Sequence, residues 1–77
     1  MSESDFYRDL GMLLRWHRKR LKMSQGSIGV LLGMSRVSIC NIERGIQKAP
    51  AYTYVRYGGI VGLKLKWSSL MEGGEVG

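Results

Sequence analysis

Two serine-to-glycine brackets lying end to end constrain this chain more than any other feature. Ser24 stands directly before Gln25-Gly-Ser-Ile-Gly-Val-Leu-Leu, and Gly33 follows. Ser35 stands directly before Arg36-Val-Ser-Ile-Cys-Asn-Ile-Glu-Arg, and Gly45 follows. A serine oxygen satisfies the free amides of a helix's first turn, and a glycine in left-handed conformation closes its last. The spacing predicts two short helices, over 25–32 and 36–44, separated by the Gly33-Met34 turn. Helices this short are marginal by themselves, so both must pack. Ile28, Leu32, Met34, Ile39 and Ile42 supply the buried side of the corner, and Gly29 leaves room for close crossing. The later helix shows Arg36, Val37, Cys40, Asn41 and Arg44 on its other faces.

Upstream, Leu10, Leu13, Leu14, His17 and Leu21 recur at helical spacing and predict one apolar stripe on a helix from Asp5 to Lys22. Ser4 and Asp5 are its candidate caps, and its basic last turns suit the helix dipole. Downstream, Ile46 to Pro50 reads as a loop carrying Lys48, and Tyr52 to Val61 as a fourth helix. Gly58 and Gly59 lower its propensity by roughly 1 kcal/mol each. Beyond Gly62, Leu63, Leu65 and Trp67 alternate like a strand, whereas Leu63, Trp67, Leu70 and Met71 fit a helix. The reading adopted is a short fifth helix over 64–71. The expected fold is therefore all-α: one compact five-helix domain over 5–71, with its central pair at 24–45 and flexible ends at 1–4 and 72–77. A chain of 77 residues leaves no room for a second domain. It hides only roughly 60–65% of its unfolded surface, so self-association would help.

Charge narrows the partners. Twelve Lys and Arg against six Asp and Glu leave +6, distributed unevenly. Residues 1–14 carry −2, 15–22 carry +5, 23–66 carry +5 with Glu43 their only acid, and 67–77 carry −2. A positive middle suits a polyanion, because released counterions drive such binding. No apolar run approaches the length of a membrane span. The start, with Glu3, Asp5 and Asp9, lacks a signal-peptide profile, and the lone Cys40 can form neither an intrachain disulfide nor a cysteine-based zinc site. The expected location is cytoplasmic, with no cofactor and no metal. Five of the six acids lie near the ends, and His17 has no nucleophile beside it, so the chain reads as no enzyme.

Two capped helices meeting at a glycine corner form a helix-turn-helix, whose second helix enters a major groove about 12 Å wide. Here the chain resembles the Cro/repressor-type, XRE-like helix-turn-helix family of phage and bacterial regulators. The motifs are Arg18, Ser24-Gln25, Ile28-Gly29, Leu32-Gly33, Met34-Ser35 and Ile39-Cys-Asn-Ile-Glu-Arg-Gly45, within residues 14–45. A weaker echo reaches Gly62-Leu63.

The resemblance implies roles position by position. Gln25 would meet a phosphate and brace the recognition helix. Arg36 and Val37 would be the most forward base-reading residues, the first on guanine and the second on a thymine methyl. Ser35 and Ser38 are placed for phosphate or base contact, and Asn41 for adenine or phosphate. Arg44 and Lys48 would touch the backbone, adding affinity without sequence choice. Arg18 and Glu43 match a structural ion pair, with Arg18 a second candidate for phosphate.

The chain also departs from the family pattern. Gly26 and Gly29 replace better helix formers, Ser27 and Ser38 stand where capping boxes carry Glu or Gln, and Val30 and Leu31 are apolar where polar residues are usual. The function expected is a small transcriptional regulator, a repressor binding a near-palindromic duplex operator as a homodimer. The pairing surface expected is Tyr54, Leu65, Trp67, Leu70 and Met71. One rival is a protein-binding adaptor or antitoxin that masks a partner protein through Val30, Leu31 and the C-terminal apolar residues. The other is a basic amphipathic membrane-surface segment over 8–22.

Overall fold

The computed structural model describes residues 2–65. It places four helices there: α1 (Glu3–Arg20), α2 (Gln25–Leu32), α3 (Arg36–Glu43) and α4 (Ala51–Val61), with no strand among the described residues. The all-α class holds, and among the described residues there are four helices, against five expected over 5–71. Lys64 and Leu65 are not helical, and the remainder of the anticipated fifth helix lies outside the described residues.

Both serine caps and the end of α2 fall where the sequence places them, and α3 ends at Glu43, one residue short of the expected 36–44. Ser24 accepts from the Ser27 amide at 3.0 Å and Ser35 from the Ser38 amide at 3.0 Å. Gly33 takes the left-handed φ of 69° that closes α2, a conformation glycine adopts without a steric penalty. α1 begins earlier than its pattern suggests. Its cap is Ser2, which accepts from the Asp5 amide at 3.1 Å, so Glu3 and Ser4 are helical rather than a loose end.

α3 packs on α1 and α2, and α4 packs on the same two helices from elsewhere, so the four contacts close a ring. Inside it lie Leu10, Leu14, Ile28, Ile39, Ile42, Tyr54, Tyr57 and Val61. Leu32 and Met34 are half-buried against this core.

The stripe expected on α1 is rotated. Leu10, Gly11, Leu14 and Arg18 face inward, whereas Leu13 and Leu21 are 43% and 47% exposed. The reason is Gly11. A Cβ there would collide with the backbone carbonyls of Ile42 and Glu43, so α3 can lie directly on α1 only along the glycine's line. Arg18, two turns further along that line, is carried inside. Gly29 plays a comparable part in α2, where an added Cβ would sit 2.5 Å from the Met34 carbonyl oxygen.

Candidate nucleic-acid interface

α3 is held at its start by hydroxyls and at its end by a carboxylate. Ser35 caps the first turn and also donates its hydroxyl to the Ser38 oxygen at 3.1 Å. The same arrangement caps α2, where the Ser24 hydroxyl donates to Ser27 at 2.9 Å. Each second serine thus occupies the place of a capping-box Glu and accepts the first serine's proton. The short side chain at that position bonds the capping hydroxyl rather than the capping residue's backbone amide.

At the other end, Glu43 is buried and receives hydrogen bonds from three different helices. Arg18 of α1 grips it two-pronged, Nε to Oε2 at 2.7 Å and Nη2 to Oε1 at 3.0 Å. Gln25 of α2 donates Nε2 to Oε1 at 3.1 Å. The Tyr57 hydroxyl of α4 donates to Oε2. Burial alone would push the Glu43 carboxyl up; the bonds from Arg18, Tyr57 and Gln25 outweigh that and hold it below its ordinary range. Its hydrogen bond to Glu43 raises the Arg18 guanidinium above its ordinary value, against the opposing effect of burial. Burial, then the bond to Glu43, pushes the Tyr57 hydroxyl up as well. The cluster holds a fixed charge pair that water scarcely reaches.

With Ile39, Ile42 and Glu43 turned inward, helical geometry leaves Val37, Cys40, Asn41 and Arg44 on the other faces, while Arg36 extends from the first position of the helix. Arg36, Val37 and Arg44 are exposed, Val37 by 59%, while Ser38, Cys40 and Asn41 are half-buried. Ser35 is exposed beside them at the helix start. The arrangement offers a rigid, two-turn helix with a cation and an apolar side chain at its leading end. It suits insertion into a groove lined by hydrogen-bonding edges and methyl groups.

Several anticipated residues have other placements. Arg18 is only 6% exposed, and its third nitrogen donates to the Met23 carbonyl at 2.7 Å. Each of its three nitrogens is thus engaged within the fold, and the side chain is turned away from solvent. Lys48 is exposed but pairs with Glu3 at the start of α1, and its ammonium lies 5.4 Å from the Tyr7 ring centre. Such a surface pair is worth about 0–1 kcal/mol and yields readily. Tyr54 is 1% exposed and donates no surface to a second copy; its ring fills the core. Leu65 packs beside Gly58, while Trp67, Leu70 and Met71 lie outside the described residues.

Two contributors escape a reading of the sequence alone. Tyr57 reaches Glu43 from α4, and Arg56 donates to the Leu31 carbonyl at 3.0 Å while lying over Tyr52. Both act across long stretches of chain, and neither position carries a local signal. Val30 and Leu31, 82% and 50% exposed, form the apolar patch on α2 that their departure from the usual pattern suggests.

Among the described residues, no group of His, Cys, Asp and Glu is placed to hold a metal ion. No helix among them is long and apolar enough to cross a membrane. No curated protein and no solved structure matches the chain significantly. A family model described as a helix-turn-helix domain does match, over residues 9–57, which takes in most of α1, the capped pair and the part of α4 that carries Tyr57. The chain accordingly belongs to the helix-turn-helix domain family, as an XRE-like DNA-binding regulator.

Proposed function

We propose that this protein is a repressor that reads duplex DNA by sequence through α3, binding a near-palindromic operator as a homodimer. The observation that carries the reading is the contrast between the two ends of α3. Its last turn is locked to the other three helices through Glu43, and its hydroxyl-capped first turn leaves Arg36 and Val37 exposed. Arg36 reads guanine in a two-pronged contact worth about 1–3 kcal/mol of discrimination, and Val37 packs on a thymine methyl. Asn41 reads adenine or a phosphate one turn further on. Ser35, Ser38, Arg44, Lys48 and the second amide proton of Gln25 hold phosphates and set register. Two copies would meet half-sites about one helical turn, roughly 34 Å, apart.

Selection from random duplexes, sequenced at two salt concentrations, tests this. Arg36→Ala is expected to relax preference at one base pair per half-site. Lys48→Ala is expected to weaken all sequences alike and flatten the salt slope by about one unit. Identical behaviour of the two variants across the library would refute the division of roles.

A further inference from the structure

The outward side of α1 bears a second surface, remote in character from the α3 residues. Met12, Leu13 and Trp16 are 58%, 43% and 58% exposed, and with Asp9 they line a shallow apolar depression. Helical spacing continues the same side to Asp5 in one direction and Arg20 in the other. The far ends of this strip differ in charge. Acidic residues stand in the first turn of α1 and bases in its last, with Arg20 lying 5.3 Å from the Trp16 ring centre.

We infer that this strip pairs with its counterpart on a second copy of the chain, the two α1 helices lying antiparallel. Charge complementarity selects that occupant. A two-fold axis between Met12 and Leu13 puts Asp5 opposite the partner's Arg20 at both ends. It sets Asp9 opposite the partner's Trp16, whose indole N–H is a donor suited to a carboxylate. At the centre, Met12 of each helix meets the partner's Leu13. A parallel arrangement would instead set acid against acid and base against base. Arg8 bonds Asp5 and Asp9 within its own helix at 3.2 and 3.5 Å. Those exposed bonds lie to one side of the strip and are weak enough to be exchanged. The surface consists of an apolar centre with an aromatic anchor and a charged rim, the composition of a specific interface.

This inference concerns pairing without DNA, so its test stands independently of the DNA-binding reading. Sedimentation equilibrium of the full chain over micromolar to millimolar concentrations is expected to show a reversible dimer. Leu13→Glu and Trp16→Ala should each weaken it about tenfold or more, while helical circular dichroism persists. Asp5→Arg and Arg20→Asp should each weaken pairing by roughly two- to fivefold, and their combination in one chain should recover most of the loss. A monomer at every concentration overturns the inference. So does a dimer indifferent to Leu13→Glu and Trp16→Ala, or charge variants whose combination is weaker than either alone.

Discussion

Glu43 is the single acid between residues 23 and 66, and the fold places it where water scarcely reaches. A carboxylate in that position is tolerated because Arg18, Gln25 and Tyr57 surround it with donors. Removing one partner of such a buried pair leaves the other uncompensated, typically at about 3–5 kcal/mol. Arg18→Met is therefore expected to cost a large part of the domain's stability in urea denaturation, and Arg18→Met with Glu43→Leu to cost less than Arg18→Met alone. The depressed carboxyl also makes stability depend on acid. Because its folded value lies below the ordinary 4.5, the contribution is fully present above pH about 4.5 and is lost as pH falls through the folded value. Urea midpoints measured downward from pH 7 should fall for the wild type in that acid range. Glu43→Gln should start lower and lose correspondingly less there.

At the scale of an element, α2 holds two glycines in one eight-residue helix that answer to different demands. At Gly26 an added Cβ meets only the Ser24 hydroxyl, at an ordinary 3.8 Å, so nothing there requires glycine. At Gly29 it would strike the Met34 carbonyl. Gly26→Ala should raise stability by about 0.5–1 kcal/mol by reducing the freedom of the unfolded chain. Gly29→Ala should lower it, despite the better intrinsic propensity of alanine, because the turn must shift to admit the methyl. Thermal melts of the two variants should move in opposite directions. The elements also show how far pattern reading reaches. The limits of α2 and the start of α3 were legible because Ser24, Gly33 and Ser35 act on their immediate neighbours. The inward face of α1 was not, since Leu13 and Leu14 look equally apolar until α3 settles on Gly11.

For the whole molecule, Glu43 joins all four helices, although α3 and α4 do not themselves pack side by side. Tyr57 spans that gap. Tyr57→Phe keeps the ring in the core and deletes one donor to a buried carboxylate, a loss of about 1.5–3 kcal/mol. Because every helix shares the cluster, the variant should still unfold in one transition, with far-ultraviolet and tyrosine circular dichroism coincident but shifted to lower denaturant. Two separate transitions would mean that the helices do not depend on one another through this point. The net positive charge belongs to this scale as well. With Glu43 buried and neutralised by Arg18, the exposed surface of the central segment is basic, the condition for salt-sensitive binding to a polyanion.

By itself the amino-acid order determined the all-helical class, the paired capped helices and the outward side of α3. Each of these follows from contacts within a turn or two of chain: a hydroxyl on a nearby amide, a glycine at a left-handed corner, a periodic apolar face. Tertiary structure alone decided which line of α1 turns inward, that Tyr54 is core rather than surface, that all three Arg18 nitrogens bond within the fold, and that Tyr57 completes the carboxylate's partners. Those outcomes depend on how closely two backbones approach and on donors arriving from distant helices, quantities that no local spacing encodes.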